Sequence, residues 1–172
     1  MTRQILQSAT SVRNAAREVL QSLFAAELLA PSRCVWIVSP WLRDVPVLDN
    51  STGSFSMLCA DFPRAEVRLS LVLRELLSLG TTVVIATRPG EGNRQVVEAL
   101  DGCPGVLGGL TFLELPTLHS KGIVTDRAAL QGSMNLTYNG VDRLTEMLTL
   151  ETTPFQVESL RVAFKAFYGG VL

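Results

Sequence analysis

Leu118-His119-Ser120-Lys121-Gly122-Ile123-Val124-Thr125-Asp126, then Gly132-Ser133-Met134-Asn135, then Glu146: the reading of this chain turns on that stretch. His119 is the only histidine in 172 residues, so any imidazole chemistry must happen there. The apolar run 122–124 has the character of a buried strand. The two-residue repeat of an extended chain then places His119 and Lys121 on one face. A turn near Asp126-Arg127 and a second apolar stretch, residues 128–131, suggest a hairpin that returns Ser133 and Asn135 towards that face. One nucleophile, one fixed cation and two neutral hydrogen-bonding groups suit an anionic tetrahedral centre such as a phosphodiester.

Each piece alone has a bland explanation. A lone histidine is more often a packed or surface residue, Gly-Ser-x-Asn is an ordinary turn, and Lys121 by itself would be a charge that keeps an edge strand from aggregating. The joint spacing sets the stretch apart: H-x-K-x4-D, then G-S-x-N, then a carboxylate at Glu146.

At these residues the chain resembles the phospholipase D superfamily, the HKD proteins, and within it the short single-motif bacterial Nuc-type nucleases. The resemblance implies that His119 is a nucleophile forming a phosphohistidine, and that Lys121, Ser133 and Asn135 hold the phosphate oxygens. It implies that Glu146 accepts a hydrogen bond from the other imidazole nitrogen and fixes its tautomer. Asp126 and Gly132 are then structural. Leu144 departs from the pattern, because members often carry a polar residue two before the carboxylate. Ser39-Pro40-Trp41, Asp49-Asn50 and the run 132–140, which includes Tyr138 and Asn139, are similar to a narrower group. That group comprises the phospholipase D-like proteins of bacterial clusters that place 7-deazaguanine bases in DNA and restrict unmodified DNA. Ser39, Trp41, Tyr138 and Asn139 are the substrate-binding candidates.

A chain of 18.7 kDa is long enough for one domain with its own core, and residues 1–172 are read as a single unit. Only 18% of residues are charged, which suits a protein that buries area against a partner. The net charge of −1 lacks the basic excess of nonspecific nucleic-acid binders. It leaves room for a local basic groove or for a partner that delivers the substrate. Cys34, Cys59 and Cys103 are odd in number and widely separated. They form neither a disulfide framework nor a metal-ligand spacing, so no metal and no cofactor are expected. With no secretory or membrane-spanning segment legible, the expected location is cytoplasmic, without a membrane partner.

Residues 2–30 show a helical rhythm in Ile5, Val12, Ala16, Val19, Leu20, Leu23 and Phe24, with Arg3, Arg13 and Arg17 off that stripe, and are read as one N-terminal amphipathic helix ending at Pro31. Residues 34–39 are a central strand whose end, Ser39-Pro40-Trp41, lines a site, as strand ends do in open α/β sheets. Residues 43–66 have loop composition, and a loop that long is commonly functional or mobile. Helical spacing returns over 68–79, a buried strand over 81–87, a short helix over 91–100, a Gly/Pro-rich loop over 102–109 and a strand over 110–115. A strand over 146–151 and an amphipathic helix over 155–167 close the chain. This order indicates an α/β fold, a mixed β-sheet flanked by helices on both faces.

The function expected from the resemblance is a metal-independent phosphodiesterase acting on nucleic acid, with DNA as substrate. The mechanism needs two imidazoles and the chain has one, so a homodimer sharing its site is expected. Other subunits of a DNA restriction system are candidate partners. The rival readings are a phospholipase or phosphatidyltransferase and a non-catalytic nucleic-acid-binding subunit of a restriction assembly. The first lacks a lipid anchor or a basic amphipathic face. The second sits poorly with five intact site residues.

Overall fold

The computed structural model describes residues 1–8, 14–103 and 105–172. In chain order the elements are β1 (Thr2–Gln7), α1 (Ala15–Leu29), β2 (Cys34–Val38), β3 (Pro46–Asp49), β4 (Glu66–Arg68), α2 (Leu69–Ser78), β5 (Thr82–Thr87), α3 (Glu91–Glu98), α4 (Val106–Gly109), β6 (Leu110–Glu114), β7 (Gly122–Val124), β8 (Ala129–Gly132), α5 (Tyr138–Asp142), β9 (Glu146–Glu151) and α6 (Pro154–Tyr168).

Cys-Val-Trp-Ile-Val has no polar side, and such a run is stable only where both faces are covered. It forms β2, buried at every residue. Seven strands lie in the order β1-β9-β8-β7-β2-β5-β6, while β3 and β4 form a separate pair. β2, β5 and β6 are parallel, and β7 joins β2 antiparallel, as do β8, β9 and β1 in turn. The parallel half follows from crossovers through α2 and α3, and the antiparallel half from the hairpin β7–β8.

Both faces of this mixed sheet are covered. On one, Val35, Ile37, Ile85, Ile123, Leu130 and Leu148 pack against α1 and α2 through Leu20, Phe24, Leu73 and Leu76. On the other, Trp36, Val38, Val84 and Val124 meet Phe164 of α6. The Trp36 indole N–H donates to the Gly169 carbonyl at 2.8 Å, so its polar edge is satisfied where α6 ends. All three cysteines are free, and burial pushes the Cys34 thiol up to about 11.

The N-terminus differs from the helix expected over residues 2–30. Thr2–Gln7 is an edge strand pairing antiparallel with β9, and the helix begins at Ala15. Val12 and Arg13 of the helical pattern lie outside the described residues, as does Pro104. The strand hides its two-residue repeat because one inward position is Gln7. That carboxamide is buried, accepts from the Ala16 N–H at 2.8 Å and donates to the Val141 carbonyl at 2.7 Å. With Asn14 accepting from the Arg17 N–H at 3.0 Å, it satisfies the free donors at the start of α1.

Residues 43–66 also carry more structure than their composition indicates. β3 pairs with β4, and buried Asn50 ties the connection between them. Its side chain accepts from the Phe55 N–H at 2.7 Å and donates to Ser56 Oγ at 3.1 Å and the Pro63 carbonyl at 3.0 Å. Asp44 caps α2 from outside, accepting from the backbone N–H and the hydroxyl of Ser70, both at 2.8 Å.

Glu151 closes the edge between β1 and α6. Hydrogen bonds from Thr153 and Thr2 pull its carboxyl from an ordinary 4.5 down to about 2. A depressed folded value means that the carboxylate stabilises the fold above the ordinary pKa and loses that effect as the pH falls towards 2. Glu151→Gln is therefore expected to lower the melting temperature at neutral pH. Thermal melts followed by circular dichroism should show the gap to wild type closing between pH 4.5 and pH 2.

Candidate active site

The sheet's polarity gathers the candidate residues at one end. Val38, the last residue of β2, pairs with Ala86 near the end of β5 and with Gly122 at the start of β7. Ser39-Pro40-Trp41, Arg88 and the chain carrying His119 and Lys121 therefore leave or enter the sheet together. Gly132 ends β8 opposite Leu148, and Glu146 starts β9 opposite Gln7, which adds Ser133, Asn135 and Glu146 to the same end.

His119 and Lys121 precede β7 rather than lying within it. His119 is exposed and Lys121 half-buried. The Lys121 ammonium donates to the His119 carbonyl at 2.8 Å, so the cation folds back beside the histidine. Lys121 lines a narrow cleft, with room for little more than a water, together with Gly122, Gln131, Gly132 and Met134.

Ser133 and Glu146 form the second pair. The Ser133 hydroxyl donates to Glu146 Oε2 and accepts from the Met147 N–H at 3.0 Å. Glu146 is buried. Expected to receive its hydrogen bond from the imidazole, it receives one from Ser133 instead. The Asn135 side-chain oxygen is buried and unpaired.

Trp41, Tyr138 and Asn139 line one open groove with Arg43, Asn135 and Leu144. Ser39, expected to touch substrate, is buried with its hydroxyl committed. It donates to the Trp41 carbonyl at 2.7 Å and accepts from the Leu136 N–H at 3.0 Å, which ties the loop after β2 to the chain after β8. Asn93, unremarked in the sequence, has a matching job. Buried, it donates to the Pro40 and Arg88 carbonyls and accepts from the Leu42 N–H at 2.9 Å. The helical position of Asn93 gave no sign of this.

Asp126 lies at the opposite end of β7. It stands 2.8 Å from the buried Arg161 guanidinium, an ion pair without hydrogen-bond alignment, and accepts from the Arg33 N–H at 3.1 Å.

The fold as a whole superposes on NucT from Helicobacter pylori with a TM-score of 0.61 at 14% identity, over 96% of this chain and 95% of that one. It matches Nuc from Salmonella typhimurium, a phospholipase D family member, with a TM-score of 0.61 at 15% identity over 96% and 93% of the two chains. The chain has the phospholipase D fold. Phosphatidylserine synthase from Haemophilus influenzae matches too, with a TM-score of 0.55 at 17% identity, over 96% of this chain and 38% of that one. No protein-family model and no curated protein matches the sequence. At such identities the likeness is one of fold.

Gly132 is the narrow point of this arrangement. Its φ is +154°, and a Cβ there would overlap the Met147 carbonyl oxygen. Gly132→Ala is expected to push β8 away from β9 and separate Ser133 from Glu146. A destabilisation of about 1–3 kcal/mol follows from such overpacking and should appear as an earlier urea midpoint.

Proposed function

We propose that this protein is a phosphodiesterase that cleaves nucleic acid, with DNA as substrate, through a phosphohistidine on His119. The observation that carries the reading is that the His119–Lys121 pair and the Ser133–Glu146 pair lie at the same end of the sheet in a phospholipase D fold. The His119 imidazole attacks phosphorus and the bond to one ester oxygen breaks. A second imidazole protonates the departing alkoxide, then takes a proton from the water that cleaves the phosphorus–nitrogen bond. Lys121 and the Asn135 amide stabilise charge on the non-bridging oxygens, work that metal ions perform in many phosphoryl-transfer sites. Glu146 holds Ser133 and supplies the carboxylate that fixes the imidazole tautomer when substrate is bound.

The second imidazole is His119 of a second copy, because the chain has only one. A two-fold axis beside β7 places the two rings across one phosphate. In support, Leu6 and Met147 pair across β1 and β9 and are exposed at 69% and 59% near the same end of the sheet, an apolar spot suited to burial against another copy. The resemblance to DpdK, the phospholipase D-like protein of 7-deazaguanine restriction clusters, fits a cytoplasmic subunit whose partners bring DNA to it.

Cleavage of plasmid DNA is expected to survive millimolar EDTA. His119→Ala should abolish it, and Lys121→Ala should cost about 3–4 kcal/mol of transition-state stabilisation, as loss of an oxyanion donor does. Activity lost in EDTA and restored by Mg²⁺ overturns the reading. So does hydrolysis of phosphatidylcholine in place of DNA, which would favour phosphatidyl chemistry.

The shared site has its own test. Mixed dimers of wild type and His119→Ala should run far below half the wild-type rate, and light scattering should give the mass of a dimer. A fully active monomer rules out the shared site.

A further inference from the structure

Trp41 differs from every other aromatic residue near the site in how firmly its backbone is held. The Trp41 carbonyl accepts from the Ser39 hydroxyl, the Leu42 N–H donates to Asn93, the Arg43 N–H donates to the Leu136 carbonyl at 2.8 Å, and the Pro40 carbonyl accepts from Asn93 at 3.0 Å. Four successive residues are thus tied to β2, α3 and the chain after β8, yet the indole they carry is 46% exposed. A loop fixed at each residue while presenting a bare aromatic ring is a preorganised contact surface.

What stands behind the ring relates it to the reacting centre. The Arg88 guanidinium carbon lies 5.8 Å from the indole centroid, and Arg88 Nε donates at 2.7 Å to the carbonyl of Leu118, the residue before His119. One guanidinium therefore spans from the indole to the chain that carries the nucleophile. The groove that Trp41 shares with Arg43, Asn135, Thr137, Tyr138, Asn139 and Leu144 measures about 900 Å³ including its open mouth. Asn135 belongs both to this groove and to the phosphate-holding set.

We propose that this groove binds an unpaired nucleobase flanking the scissile phosphate, with the Trp41 indole as its stacking platform. The proposal rests on the phosphodiesterase reading above and narrows its substrate to single-stranded nucleic acid. In a duplex both faces of each base are covered by neighbours, so an indole can stack only on a base outside the helical stack. Arg88, 5.8 Å from the indole centroid and bonded to the Leu118 carbonyl, steadies the ring beside the chain that carries His119. Arg43 at the groove wall attracts the phosphate backbone that follows. Stacking also supplies what the net charge of −1 withholds, since backbone electrostatics alone dominate nonspecific binding only in strongly basic proteins.

The test uses the inactive His119→Ala protein, titrated at one fixed physiological salt concentration while tryptophan fluorescence and the anisotropy of end-labelled strands are followed. The anisotropy alone gives the affinities of the Trp41 variants. Trp36 is fully buried, so quenching reports Trp41. The probes are a short oligothymidylate, an abasic deoxyribose-phosphate strand of equal length and charge, and the oligothymidylate paired with its complement. The single strand should quench the fluorescence and bind about ten- to a hundredfold tighter than the abasic strand. Trp41→Ala should bring the two affinities within twofold of each other. Trp41→Phe, which keeps an aromatic face, should retain most of the preference and so separates a lost platform from a disturbed loop. Equal binding of the thymidylate and abasic strands overturns the subsite while leaving the phosphate site standing. Equal quenching by the duplex overturns the requirement for an unpaired base. Binding of none of the three overturns the nuclease reading and the subsite with it.

Discussion

The antiparallel pairing of β7 on β2 is the contact on which the site depends. β2 is buried on both faces, so its position in the sheet is fixed by packing from α1 on one side and α6 on the other. Its parallel partner β5 delivers Arg88 to the end where β2 delivers Trp41. β7 runs the other way and so brings the residues before it, rather than those after it, to that end. A parallel β7 would leave His119 and Lys121 at the far edge of the sheet. Strand direction assembles the site, and a slip of one residue in this pairing would turn Lys121 to the opposite face.

Positive charge collects at this end although the protein as a whole is slightly acidic. Lys121 lies beside His119, Arg88 behind Trp41, Arg43 along the groove, and Arg68 donates to the Tyr138 hydroxyl. The acids nearby are engaged elsewhere. Asp44 is held by Ser70, Asp142 accepts from Arg17 and Asn14, and Glu114 accepts from Arg94. What an incoming phosphate meets is set by which charges are free at that spot, and net charge is a poor guide to it.

The strands with continuous apolar runs were legible, because such runs can only be buried: residues 34–38, 82–87 and 122–124 all emerge as strands, and residues 110–114 form the half-buried edge strand. The edge strand β1 was not. Its inward face holds Ile5 and then Gln7, and a polar inward residue erases the alternation that identifies a strand. Ser39 was read for its place at a strand end, but the hydroxyl bonds two backbone groups there, and nothing local reveals that Leu136 would lie opposite. Trp41, Tyr138 and Asn139 were legible as a set, and the structure brings them to one groove with Asn135. The Ser133–Glu146 bond was illegible for another reason. Spacing placed both residues near one another, but which donor the carboxylate would take depends on the crossing of β8 and β9 at Gly132.

Asp126 shows how a motif compact in sequence can be divided in space. From Lys121 to Asp126 the chain runs the length of β7, roughly 16 Å at the rise of an extended strand. Asp126 therefore cannot share the chemistry of His119. It receives the Arg33 N–H at one oxygen and faces the buried Arg161 guanidinium at the other, while its own N–H donates to Ser32 Oγ at 2.9 Å. These contacts join the β7–β8 turn to the start of β2 and to α6, the elements that enclose β7. Glu158 stands at one nitrogen of that buried guanidinium and Asp126 at another, so Arg161 helps fix where the turn can sit. The four residues between Lys121 and Asp126 then act as a measured length. With the aspartate anchored at one end of the sheet, the lysine must emerge at the other, one strand away and beside His119.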